Sequence, residues 1–105
     1  MKTKAINTVD LMFRAIADPT RLRLLGLLRS GERCVCDLVD VLKVPQPKVS
    51  RHLAYLRRAG LVHVRKDGLW CHYRLAEPRS QFHVKLLDCL GACCENVPVQ
   101  KAETP

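Results

Sequence analysis

The segment 61–75, LVHVRKDGLWCHYRL, constrains the fold more than any other. Two strand-like runs, LVHVR and LWCHYRL, flank Lys66-Asp67-Gly68, and Asp-Gly between such runs signals a β-hairpin. The rest of the chain carries helical patterning. A single hairpin set among helices predicts a mainly α domain with a small β-hairpin.

Residues 9–17, VDLMFRAIA, have apolar groups at helical spacing and form a first helix. Asp18-Pro19 then supplies an N-cap and a proline at the first helical position. The second helix runs to about residue 29, buries Leu22, Leu25 and Leu28, and ends at Ser30-Gly31. A short third helix covers about residues 36–42, with Leu38, Val41 and Leu42 inward. Lys43-Val44-Pro45 is a turn. A fourth helix from Pro45 or Gln46 to Ala59 turns Val49, Leu53 and Leu56 to the core and stops at Gly60. Beyond the hairpin, Pro78 or Arg79 opens a last helix to about Cys94, with the apolar line Phe82, Leu86, Leu87 and Leu90. Residues 1–95 form one domain, and 96–105 a frayed tail.

Charge is distributed unevenly. The net charge is +8, and no acidic residue lies between Asp40 and Asp67. That window holds Lys43, Lys48, Arg51, Arg57, Arg58, Arg65 and Lys66, a candidate nucleic-acid footprint. Two helices joined by a tight turn, the second basic and followed by a hairpin, describe a helix-turn-helix with a wing. With Val49, Leu53 and Leu56 inward, the fourth helix presents Pro47, Arg51, Ala54 and Arg58 outward, flanked by Lys48, Ser50 and Tyr55. Arginine and lysine suit guanine edges and phosphates, and Gln46 at the helix start suits adenine. Arg65 and Lys66 at the wing suit phosphate or the minor groove. His52, beside the buried stripe, is placed for a structural hydrogen bond.

The 105-residue chain is long enough for one modest core, so a partner subunit is expected to add stability. No apolar run approaches the roughly 20 residues of a membrane helix. The start, MKTKAINTVD, lacks the apolar stretch of a signal peptide. A cytoplasmic protein is expected, in which thiols stay reduced. The six cysteines are Cys34, Cys36, Cys71, Cys89, Cys93 and Cys94. Core packing is the expectation for Cys71 and Cys89. Cys34 and Cys36 in ERCVCDL are two residues apart, so in an extended segment their sulfurs converge. If Cys36 opens the third helix, the helix N-terminus lowers its pKa. Packing, redox chemistry and soft-metal binding all remain open for this pair on its residues alone. A nucleophilic enzyme would need an orienting base and a phosphate-like cradle. With no Gly-rich loop and no Cys-x-x-Cys, the chain is read as a non-enzyme.

Three blocks, AIADPTRLRLLGLLRSGERCVCDLVDVL, QPKVSRHLAYLRRAGLV and RKDGLWCHYRL, resemble in order and spacing the ArsR/SmtB family of winged-helix metal-responsive repressors. CVCDL is most similar to the arsenic-responsive ArsR branch, and cadmium and lead sensors also carry it. The resemblance implies a homodimer paired through the first and last helices, bound to double-stranded operator DNA, repressing transcription and released by its inducer. It implies a recognition helix from Gln46 to Ala59 and a wing from Arg65 to Gly68. It further implies Cys34 and Cys36 as thiolate ligands for arsenite or antimonite, with cadmium, lead or a thiol-directed oxidant or persulfide as alternative signals.

The chain departs from the family pattern in places. Lys43 stands where many relatives have Gly, Pro45 where many have a capping Ser, and Val39 where many arsenic-responsive relatives have a third Cys. Cys93 and Cys94 on the last helix are the substitutes. The family's zinc pattern matches one position in four: His83 fits, whereas Gln81, Cys94 and Val97 do not.

Overall fold

The computed structural model describes the backbone over residues 3–96 and side chains over residues 8–92. In that range the order is α1 (Thr3–Ile16), α2 (Pro19–Leu28), β1 (Arg33–Cys34), α3 (Val35–Leu42), α4 (Gln46–Arg58), β2 (Val62–Asp67), β3 (Trp70–Leu75) and α5 (Gln81–Asn96). The expected tail, apart from Asn96, lies outside the described residues. None of the described helices is long and apolar enough to cross a membrane.

The helix starts follow from local chemistry. Asp18 sits in extended conformation, and its Oδ2 accepts the Arg21 amide at 3.0 Å. Pro19 follows at the first position, where a missing N–H costs nothing. α2 buries Leu24, Leu25 and Leu28, while the expected Leu22 is only half-buried. α5 opens at Gln81, later than Pro78 or Arg79. Ser80 caps it, its Oγ accepting the His83 amide at 3.1 Å. The His83 ring reaches back, its Nδ1 accepting the Arg79 amide at 3.2 Å. The arrangement resembles a capping box with His in the usual place of Glu or Gln, except that the ring takes the amide of Arg79, one residue before the cap, rather than that of Ser80 itself.

α3 and α4 start differently. Their N-cap residues, Cys34 and Pro45, form no side-chain cap. Between them Lys43 takes a left-handed conformation with φ +58°, alone among the described non-glycine residues, while its amide donates to the Val39 carbonyl at 2.9 Å. α4 closes in a conformation glycine favours: Gly60 has φ +80°, and the Leu61 amide reaches back to the Leu56 carbonyl at 3.0 Å.

The sheet has three antiparallel strands in the order β1-β3-β2. The third strand is an addition to the expected hairpin. β1 has only two residues, too few to show alternation in sequence. Cys34 pairs with His72, which pairs on its other side with Arg65. The turn also differs in detail. β2 continues through Lys66 and Asp67, and Asp67 pairs with Trp70. The loop is therefore Gly68-Leu69, with Gly68 at φ +65°, the type II′ placement of glycine.

The core gathers Leu24, Leu25 and Leu28 of α2, Leu38 of α3, Val49, Leu53 and Leu56 of α4, and Leu61. Leu86 and Leu90 of α5 and Met12 and Ala15 of α1 close it. Phe13 of α1 meets Phe82 of α5 edge-on at 5.3 Å, yet Phe13 stays 52% exposed. An apolar edge thus remains on the two terminal helices.

Candidate nucleic-acid interface and thiol site

The α4 core stripe dictates what the other face offers. With Val49, Leu53 and Leu56 fully buried, Gln46, Pro47, Lys48, Arg51, Ala54 and Arg58 are exposed, and Ser50 and Tyr55 are half-buried. Arg65 and Lys66 are exposed on β2. α4 therefore exposes cations and hydrogen-bonding groups along the face opposite its core stripe, and β2 exposes two further cations.

A network from the first two helices braces this face. Arg21 Nε donates to the Ala15 carbonyl at 2.7 Å, and Nη2 to the Arg14 carbonyl at 3.3 Å. Its Nη1 donates to His52 Nδ1 at 3.2 Å, and its guanidinium lies 4.1 Å from the Tyr55 ring centroid. Arg58 approaches the same ring at 5.2 Å. Tyr55 is thus contacted by two guanidiniums, a cation–π arrangement that orients Arg58. His52 makes the structural hydrogen bond its position predicts. Burial pushes its pKa down, against the pull of Asp18, whose Oδ2 is 3.9 Å from Nδ1. Sequence reasoning missed Arg21, because nothing local links it to residues on another helix.

The wing holds a second unpredicted contact. Arg65 Nη2 and Nε donate to the two carboxylate oxygens of Glu32, at 2.8 and 3.2 Å. Asp67 Oδ2 lies 4.0 Å from Arg65 Nη1. The Arg65 hydrogen bonds hold the Glu32 carboxyl below its usual range, and Glu32 raises Arg65 in return. Glu32 stands two residues before Cys34, so the pair ties the thiol segment to the wing.

The thiols of Cys34 and Cys36 lie 2.9 Å apart, with the Cys36 S–H donating to the Cys34 sulfur. The convergence arises at a strand-to-helix junction rather than along an extended segment. Cys34 is the last residue of β1 and the N-cap of α3, and Cys36 is the second residue of the helix. The expected lowering of the Cys36 pKa is reversed. Donation to Cys34 retains the proton on Cys36, and partial desolvation and the Cys34 and Asp37 charges add to this.

Val39, one turn on, packs against the core. Cys71 also packs there, as expected. Cys89, for which packing was expected, is exposed on α5, because the core-facing line of that helix runs through Leu86 and Leu90. Cys93 and Cys94 lie outside the residues whose side chains are described. Among the described residues no three potential donors are gathered as a metal site. His83, the single match to the zinc pattern, is fully buried in the α5 cap.

Comparison with known proteins adds the following. Residues 18–64 match the family described as bacterial regulatory protein, arsR family. The arsenical resistance operon repressor of Escherichia coli K12 is 47% identical over 83 residues, covering 78% of this chain and 71% of that protein. A probable mercury resistance operon repressor of Streptomyces lividans is 39% identical over 99 residues, covering 88% and 79%. Among solved structures, the homodimeric winged helix-turn-helix DNA-binding domain of a possible ArsR-family regulator from Mycobacterium bovis superposes with a TM-score of 0.75. It is 26% identical, covering 90% of this chain and 84% of that one.

Proposed function

The chain belongs to the arsR family of bacterial regulatory proteins and is a DNA-binding transcriptional repressor rather than an enzyme, and we propose that arsenite or antimonite, bound by Cys34 and Cys36, is the signal that lifts repression. The observation that carries this reading is the 2.9 Å approach of the two sulfurs at the N-cap of α3. Arsenous acid can exchange two hydroxyls for these sulfurs, each thiol proton leaving with a hydroxyl as water. The exchange proceeds from neutral thiols, so the raised Cys36 pKa does not oppose it. The third position on arsenic keeps its hydroxyl or takes a sulfur from Cys93 or Cys94.

The active species is a cytoplasmic homodimer, joined through α1 and α5, where Phe13 and Val84 leave apolar surface exposed. The homodimeric state of the Mycobacterium bovis domain supports this assembly. Each protomer offers α4 to a major groove of operator DNA. Gln46, Pro47, Lys48, Ser50, Arg51 and Arg58 meet bases and phosphates, Tyr55 braces Arg58, and the wing brings Arg65 and Lys66. α3 packs against α4. Ligand bonding at the start of α3 therefore shifts the spacing of the two recognition helices. Dimeric readers need half-sites about one helical turn apart, and a coupling of about 1–3 kcal/mol suffices for release.

A second reading is favoured by the mercury relative and by the absence of a third donor near the pair among the described residues. Two thiolates alone suit a soft divalent ion, with cadmium and lead the other candidates. Titration of DNA-bound protein with arsenite, antimonite, cadmium, lead and mercury decides between them. Arsenite is expected to release the wild type and to leave Cys34→Ser/Cys36→Ser on DNA. Normal release of that variant by arsenite would exclude the pair as the sensor.

A further inference from the structure

The wing arginine is already engaged within the protein. A carboxylate and a phosphate present the same paired oxygens to a guanidinium, and arginine takes either through two parallel N–H bonds. Glu32 occupies the Nε and Nη2 edge of Arg65 in this way, at 3.2 and 2.8 Å, and Asp67 faces Nη1 at 4.0 Å. Both partners remain partly open to solvent, the Arg65 side chain at 54% and Glu32 at 31%. Exposed pairs of this kind exchange at small cost. Arg65 also shares a cross-strand row with His72 and Cys34, so Glu32 and the wing are held in one register by β1.

We propose that Glu32 is an internal competitor of DNA phosphate for Arg65, so that the residue before β1 sets how much of the wing's charge is available to DNA. The proposal rests on the reading that the wing meets DNA, and it is independent of the inducer. In the free protein the carboxylate holds the guanidinium. On DNA a phosphate oxygen replaces it, and the carboxylate is returned to water. The displaced pair subtracts from affinity, and the exchange makes Arg65 a conditional contact, unlike Lys48 or Arg51, for which no ion pair competes among the described residues.

A double-mutant cycle tests the competition on the full chain, with a fluorescent mixed-sequence DNA duplex and a salt titration. Glu32→Gln is expected to bind several-fold more tightly, because no carboxylate has to be displaced, while the slope of log affinity against log salt is expected to stay close to that of the wild type, since Arg65 meets a phosphate in both complexes. In Arg65→Gln background the same Glu32→Gln change is expected to give no gain. A gain that persists without Arg65 would mean that a negative charge was merely removed, overturning the competition while leaving DNA contact intact. Weaker binding by Glu32→Gln would make Glu32 a support for Arg65 and also overturn it. If neither Glu32→Gln nor Arg65→Gln changes affinity, the wing does not meet DNA, and both readings fail.

Discussion

α2 and α5 begin with side-chain caps, whereas the two helices of the helix-turn-helix begin with none. Asp18 caps α2, and Ser80 with His83 caps α5. α3 begins at Cys34 and α4 at Pro45, neither of which caps, and Lys43 between them is held at φ +58°. The framework helices are specified locally. The working pair is held mainly by packing through Leu38, Val49, Leu53 and Leu56, which are all fully buried. On the proposed function, a ligand at Cys34 would act on a helix start with no cap to break, beside a turn with Lys43 in the left-handed region. The contrast is that the helix-turn-helix pair, lacking local caps, depends on its core face and on the Arg21 brace.

Removing a framework cap should produce the largest effect. Asp18→Ala loses the acceptor for the Arg21 amide and is expected to cost about 1 kcal/mol. For a domain of this size that is a fall of about 4–8 °C in melting temperature, measured at fixed protein concentration because a dimer's stability depends on it. An unchanged melting temperature would erase the contrast. Relief at the turn should act in the opposite direction. Lys43→Gly removes the left-handed penalty of a side chain, about 1 kcal/mol, partly offset by glycine's greater freedom when unfolded. A gain of about 0.5 kcal/mol is expected in chemical denaturation, and a loss would show that the turn carries no strain.

The smallest effect comes from pH. Burial holds His83 and His52 below the 6.5 of a free imidazole. As pH falls below 6.5, the unfolded chain takes up protons on these rings before the folded chain does. Stability is thus full above 6.5 and declines below it. Glu32, held below its ordinary 4.5, adds a further loss as pH falls below that value. His83→Gln retains a residue able to complete the α5 cap. It should show a shallower decline in melting temperature between pH 6.5 and 4.5 than the wild type, and an equal decline would remove His83 as a source.

Much of the fold was legible in the sequence. The Asp18-Pro19 start, the Gly60 stop and the Val49, Leu53 and Leu56 stripe all appear where local patterning places them. Helix limits were less legible where polar residues continue a helix without apolar spacing, as in α1 from Thr3. β1 was invisible because two residues carry no period, and its strand character comes from β3 beside it. At the candidate site, the outward residues of α4 follow from the buried stripe. The Arg21 brace and the Glu32–Arg65 pair do not, because each joins residues more than thirty positions apart. The direction of the Cys36 pKa also failed to follow from sequence, since it depends on which sulfur donates to the other.

The sequence by itself determined the helices, their order, the hairpin and the cationic face of α4. Periodicity, capping and glycine stops act over three or four residues, and a chain carries that information wherever it folds. Only the tertiary structure decided that Cys34 ends a strand while Cys36 enters a helix, and that Glu32 occupies the wing arginine. Those outcomes depend on distances between segments, which are set when α2, α3 and α4 pack around their shared leucines.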